Sequence, residues 1–298
     1  MRNKKFEGVG VALVTPFSDD GQVDYQALER LVGHVTDGGV DYLVVHGTTS
    51  ESPTLTPQEK QDTLDFIRDH NSQNLPIVLG MSGNDTALLC SSIKNADLEG
   101  VDALLCAAPY YNKPSQAGLL AHFNQVAEAS RVPVILYNVP ARTSSNLEAR
   151  TTAELSRIDN IIAIKESSGD INQCAEVQLY CSDDFMMTSG EDMFTLPLMS
   201  MGGVGVISVI ANALPQQLTT MVKCFKEGNF ETSNRVFQDL VEPIRLIFQE
   251  GNPTGVKEML KQLGICSNHV RLPLVKASED LARSIGGSLN SLGIKKGG

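Results

Sequence analysis

Ile161-Ile162-Ala163-Ile164-Lys165-Glu166-Ser167-Ser168-Gly169-Asp170 is the stretch on which the fold turns. A run of β-branched residues that stops at Ser, Gly and Asp predicts a buried strand ending in a loop. Side chains on a strand alternate faces, so Ile161, Ala163 and Lys165 share one side. An amine at the tip of an apolar strand is costly to keep charged, and a neutral amine can attack a carbonyl. A lone lysine there also fits a side chain snorkelling to solvent. What the other strand ends carry decides between the two.

Outward from this stretch, short apolar runs alternate with amphipathic segments along the whole chain. Strands are predicted at 9–15, 42–47, 77–80, 103–107, 134–138, 161–166, 185–189 and 205–208. Helices are predicted between them, for example at 24–36, 57–70, 85–98 and 116–129. Thr56-Pro57-Gln58-Glu59 offers a capping threonine with proline at the first helical position, and Gly38-Gly39 and Gly100 read as helix stops. Strands separated by helices imply parallel pairing through βαβ crossovers. A count of eight favours a closed (β/α)8 TIM barrel over an open α/β sheet. No G-x-G-x-x-G follows the first strand, which points the same way. A last barrel helix is expected over 214–227, then helices over 230–249, 255–263 and 278–285. The expected organisation is a catalytic barrel over 1–227 and a C-terminal helical domain over 228–298.

The 298 residues are 42% hydrophobic and 20% charged, an ordinary globular composition. A net charge of −11 argues against nucleic acid and anionic membranes as partners. Small anionic substrates need only a local positive group. The six cysteines, Cys90, Cys106, Cys174, Cys181, Cys224 and Cys266, form no C-x-x-C pair and fit free thiols in a reducing cytosol. The five histidines show no metal-ligand spacing. Arg2, Lys4 and Lys5 before an apolar stretch imitate a signal peptide, but the stretch is short and runs into Pro16 and Asp19-Asp20. No run approaches the length of a membrane span, and a cytoplasmic protein is expected.

In such a barrel the active site forms at the C-terminal ends of the strands. Tyr137 and Lys165 close consecutive predicted strands. Neighbouring strands lie about 4.8 Å apart, so a phenol and an amine there can meet over one substrate atom. Tyr137 alone also fits a core tyrosine with a satisfied hydroxyl. Thr48-Thr49 follow a glycine at a strand end, where hydroxyls and N–H groups can hold a carboxylate; an ordinary helix-entry turn reads equally well. Arg142 offers a bidentate fork for a second carboxylate, although a surface loop arginine is the commoner case. Gly202-Gly203-Val204-Gly205 imitate a phosphate loop, but they precede the last strand and read as a helix stop. His46 can point into the barrel by alternation with Thr48, or stand as a hydrogen-bonded structural histidine.

Taken in order, five motifs resemble the dihydrodipicolinate synthase family over nearly the whole chain. They are Gly47-Thr48-Thr49-Ser50-Glu51-Ser52, Pro109-Tyr110-Tyr111-Asn112-Lys113-Pro114, Tyr137-Asn138-Val139-Pro140-Ala141-Arg142-Thr143, Ile164-Lys165-Glu166 and Gly205-Val206-Ile207-Ser208-Val209. Asn252-Pro253 and Arg271-Leu272-Pro273 extend the likeness into the tail. Lys165 and Tyr137 alone fit the wider superfamily of pyruvate-dependent class I aldolases, including N-acetylneuraminate lyase and 2-keto-3-deoxy-sugar-acid aldolases. The Thr-Thr pair, the Tyr-Tyr pair and Arg142 narrow it.

The resemblance implies condensation of pyruvate with aspartate 4-semialdehyde on the diaminopimelate route to lysine. It implies that Lys165 forms a Schiff base with pyruvate, whose enamine attacks the aldehyde. It assigns a proton relay to Tyr137, Thr48 and Tyr111, with Tyr111 reaching in from a neighbouring subunit. Thr48 and Thr49 would hold the pyruvate carboxylate, Arg142 that of the semialdehyde, and Gly190 and Ile207 would line the pyruvate pocket. It implies no metal or organic cofactor, and a tetramer built as a dimer of dimers. A sugar-acid aldolase and a non-catalytic keto-acid-binding barrel are the competing readings.

Three departures from the family pattern stand out. Ser50 occupies a glycine position and would be strained if that position needs positive φ. His46 occupies a position where a small apolar residue is expected. For the site that binds lysine as a feedback inhibitor, Ser52, Asn84 and Tyr110 match. Pro57, Lys60 and Leu88 stand where lysine-sensitive members carry two histidines and a glutamate. A lost carboxylate and an added cation predict weak or absent inhibition by lysine.

Overall fold

The computed structural model describes residues 4–294. Arg2 of the signal-like start and residues 295–298 of the expected C-terminal domain lie outside that range. Eight strands follow one another around a closed barrel in chain order. They are β1 (Gly8–Ala12), β2 (Tyr42–Val45), β3 (Ile77–Gly80), β4 (Ala103–Ala107), β5 (Val134–Asn138), β6 (Ile161–Glu166), β7 (Met186–Ser189) and β8 (Gly205–Ser208). Strands β1 and β2 pair in parallel, as does each neighbouring pair from β3 to β8. β1, β2 and β5 are buried at every residue, as expected of parallel strands covered on both faces.

Five strands have the bounds the sequence predicts, and three are shorter. β1 ends at Ala12 rather than Thr15, because the Val14 N–H donates to the Asn212 side chain instead of a neighbouring strand. β2 ends at Val45 because His46 takes a left-handed φ of 58°. β7 begins at Met186, one residue late.

Helix Pro57–His70 starts as its sequence says: Thr56 accepts from the Glu59 N–H while the Glu59 carboxylate accepts from the Thr56 N–H. Helix Tyr25–Asp37 stops at Gly38. Gly100 is not a helix stop. Helix Thr86–Asn95 ends sooner, and the Asp97 carboxylate accepts from the Glu99 N–H to turn the chain before the glycine.

The chain divides into two compact units. One contains Pro76–Ile207 and the residues up to Glu7; it holds β3 to β7 and nearly all of β8. The other joins Gly8–Leu75 to the chain from Ser208 onward; it holds β1, β2 and helices Pro215–Lys226, Phe230–Gln249, Thr254–Gln262 and Glu279–Ser291. Among the described residues no helix is long and apolar enough to cross a membrane.

In the second unit, the Arg271 guanidinium donates to both Glu59 oxygens and to the carbonyls of Gly21 and Thr54. The bond from Arg271 holds the Glu59 carboxyl at about 2, against an ordinary 4.5. A depressed folded-state pKa adds stability above the unfolded value, which is lost as pH falls through the folded one. Stability should therefore decline between pH 4.5 and about 2, and Arg271→Ala should remove much of that slope. Urea unfolding across this range measures it; parallel acid limbs in the two proteins would contradict the assignment.

Candidate active site

In the first unit, β5 and β6 pair so that Tyr137 stands opposite Lys165 and Asn138 opposite Glu166. The Lys165 amine lies over the Tyr137 ring, 4.3 Å from its centroid. Lys165 is only 5% exposed, so it does not snorkel. On its other side Lys165 stands opposite Thr188 of β7, whose buried hydroxyl has no partner among the described residues.

The pairing is held from the neighbouring positions. Asn138 Nδ2 donates to both oxygens of Glu166, at 3.0 and 3.1 Å, and Gln173 Nε2 donates to one of them. The Ser168 N–H adds a fourth bond, at 2.6 Å. Burial pushes the Glu166 carboxyl up, and the donors from Asn138, Ser168 and Gln173 oppose that push. A buried carboxylate satisfied this way ties β5 to β6 in one register. That register sets Tyr137 beside Lys165.

Gly190, just past β7, lies against the lysine stem. A Cβ there would stand 2.8 Å from Lys165 Cε and closer still to Ser167 Oγ. No other residue leaves room for the lysine as it sits. Ile207 is fully buried on β8. Glu191 was not singled out in the sequence, although it follows Gly190 at a strand end. Burial and the neighbouring Asp192 push its carboxyl up, while Lys165 and Arg142 pull it down. Glu191 thus lies in the field of both cations. Arg142 itself is exposed, on the short helix Pro140–Thr143. Tyr111 is not buried with Tyr137 and Lys165: it is 87% exposed, with a φ of 73°. Asn84 donates to the carbonyl of Tyr110, which is also exposed.

In the second unit, Thr48 and Thr49 sit on a 3-10 turn directly after β2, Thr48 exposed and Thr49 buried. Asn252 Nδ2 donates to Thr49 Oγ1 at 2.9 Å. The strain expected at Ser50 falls elsewhere. Ser50 closes the turn through Oγ to the Gly47 carbonyl at 2.7 Å, and the left-handed residues are His46 and Glu51, at φ 58° and 56°. Glu51 is held there from the tail. Its carboxylate accepts from Lys257 Nζ at 2.5 Å and from the Arg271 N–H at 2.8 Å. Lys257 also donates to the His269 carbonyl and lies over the Phe17 ring. Burial pulls the Lys257 pKa down and Glu51 opposes that pull.

His46 does not point into the barrel. Its Nε2 lies 2.9 Å from Thr63 Oγ1 on helix Pro57–His70. The Thr63 hydroxyl donates to the Glu59 carbonyl, so Nε2–H is the donor to Thr63. Burial, with the charge of Lys60, lowers the His46 pKa to about 4 and keeps the ring neutral. This is the structural reading of His46. Ser52 is half-buried at the start of the turn Ser52–Thr54, Pro57 and Lys60 lie in the first turn of helix Pro57–His70, and Leu88 is exposed.

Fold and residues together define a (β/α)8 barrel with a buried amine and a phenol closing adjacent strands. More narrowly, the chain belongs to the dihydrodipicolinate synthetase family, whose model matches residues 5–291. A relative from Flavobacterium psychrophilum, named 4-hydroxy-tetrahydrodipicolinate synthase, is 47% identical over 281 residues, 94% of this chain and 96% of its own. The dihydrodipicolinate synthase structure from Thermotoga maritima superposes with a TM-score of 0.94 at 36% identity, covering 97% of this chain and 99% of that one. The chloride-inhibited synthase of Acinetobacter baumannii, solved with pyruvate, gives 0.93 at 33% identity, covering 97% and 99%.

Proposed function

We propose that this chain condenses pyruvate with L-aspartate 4-semialdehyde to give 4-hydroxy-tetrahydrodipicolinate, the first committed step toward diaminopimelate and lysine. The observation that carries the reading is the buried Lys165 amine over the ring of Tyr137. Family membership supplies the substrates. Lys165 Nζ attacks the pyruvate ketone and water leaves, giving an imine that stores a carbanion equivalent. Loss of a methyl proton gives the enamine, which attacks the aldehyde carbon. The amine of the semialdehyde then attacks the imine carbon, closing the ring and freeing Lys165.

Tyr137, Thr48 and Tyr111 pass the protons, since a phenol can relay one only if neighbours share the charge. Thr49 and Thr48 hold the pyruvate carboxylate, Arg142 holds that of the semialdehyde, and Gly190 and Ile207 shape the pyruvate pocket. The exposed aromatics Tyr110 and Tyr111 support burial against a second copy, in a tetramer built as a dimer of dimers. The barrel at 1–227 carries the chemistry, and the helical segment from 228 holds its threonine turn. The protein works in the cytoplasm.

Borohydride reduction in the presence of pyruvate, followed by peptide mass analysis, tests the reading. A reduced pyruvoyl adduct on Lys165 is expected; an unmodified Lys165 under saturating pyruvate would sink it. Lysine should inhibit weakly or not at all, because Pro57, Lys60 and Leu88 offer no carboxylate to a dibasic effector. Half-maximal inhibition at micromolar lysine would reverse that expectation.

A further inference from the structure

Thr49 has a partner that the motif does not account for. Its hydroxyl accepts from Nδ2 of Asn252, 203 residues further along the chain, and both side chains are buried. A hydroxyl carries one proton and two lone pairs. With a lone pair engaged by an N–H, the Thr49 proton is left to donate, which is what a carboxylate ligand requires. A threonine that gave its proton to a neighbouring oxygen would turn a lone pair toward the anion instead.

Asn252 has no other side-chain hydrogen bond among the described residues: its Oδ1 is buried and unpartnered. Its local chain is anchored. Asn252 stands just before helix Thr254–Gln262, whose Lys257 grips Glu51, two residues past Thr49. Donor and acceptor are therefore fixed at both ends by one buried network.

We propose that Asn252 is a positioning residue for the keto-acid carboxylate, acting through Thr49 by fixing its hydroxyl as a donor. This rests on the proposed reaction, which places a carboxylate at Thr49. The chemistry also makes aspartate the most damaging replacement. Asn252→Asp keeps the shape, but its carboxylate takes the Thr49 proton and sets a negative charge behind the anion site.

The test uses the full chain and pyruvate. It measures KM for pyruvate, kcat, and the pyruvate concentration giving half-maximal borohydride trapping of Lys165. Asn252→Ala should raise both pyruvate concentrations roughly fivefold with kcat nearly unchanged, the size of one neutral hydrogen bond. Asn252→Asp should raise them roughly tenfold or more, because a charge is now involved. In a Thr49→Val background Asn252→Ala should add nothing further. Equal effects of Asn252→Ala with and without the Thr49 hydroxyl would overturn the proposal, since a merely structural residue behaves that way. So would Asn252→Asp matching the unmodified protein. If Asn252→Ala does not fold, the isosteric Asn252→Asp carries the test. Failure of pyruvate to trap Lys165 in the unmodified protein sinks the reaction and this inference together. Normal trapping that ignores Asn252 sinks this inference alone.

Discussion

Lys165→Met should lose turnover by about 10^4-fold or more, the scale seen when a covalent nucleophile is removed. Methionine keeps the apolar stem of lysine out to Cε, so the space against Gly190 remains filled. Taking away the amine forfeits its contact with the Tyr137 ring but also removes the cost of burying it. These changes oppose each other, so the thermal midpoint should move little. Loss of turnover with an intact fold, together with loss of the reduced pyruvate adduct, is the expected pair of results. Lys165→Arg should fail as completely, since a guanidinium does not become a neutral nucleophile. Turnover within tenfold of the unmodified protein in either variant would rule out covalent catalysis at this position.

Lys257→Met should cost about 3–5 kcal/mol, the usual result of removing one partner of a buried ion pair. Lys257 and Glu51 are both fully enclosed, and without the ammonium the Glu51 carboxylate keeps, among the described residues, only the Arg271 N–H. At about 2–4 °C per kcal/mol for a chain near this size, the midpoint should fall by roughly 10 °C. Glu51→Gln combined with Lys257→Met should recover most of the loss, because no uncompensated charge is left inside. Thermal scans of the three proteins at one heating rate measure this. A single variant as stable as the unmodified protein would mean that the pair contributes nothing. The variant should also weaken pyruvate binding, since the left-handed backbone at Glu51 costs roughly 1–3 kcal/mol and persists only while its carboxylate is held.

Local patterns announced most of the barrel, and they also announced that Lys165 and Tyr137 stand side by side. β6 is legible because Ile161 to Ile164 are apolar and Ser167, Gly169 and Asp170 are not, and strand alternation then puts Lys165 and Tyr137 on facing positions. The differences arise where distant partners or backbone geometry, rather than the local pattern, set the structure. Leu13 to Thr15 look like strand because they are buried, but burial does not say which partner takes the N–H of Val14; Asn212, 198 residues away, takes it. The turn at Ser50 does require positive φ, but at the next residue, Glu51, which the tail holds in place. Nothing near Glu51 announces Lys257. A lysine between Val256 and Glu258, in a helix buried along most of its length, was the one available signal that a charge there must be paired.

The second unit is discontinuous along the chain, and this has a consequence for biosynthesis. Gly8–Leu75 leave the ribosome first, yet the other half of their unit begins at Ser208. Pro76–Ile207 are contiguous and have their partners at hand as they emerge. Glu51 must wait for a lysine translated 206 residues later. The nascent chain therefore carries its threonine turn unsupported through most of translation. A ribosome stalled before Asn252 would display Lys165 and Tyr137 in full, with the residues that brace Thr49 and Glu51 still unmade.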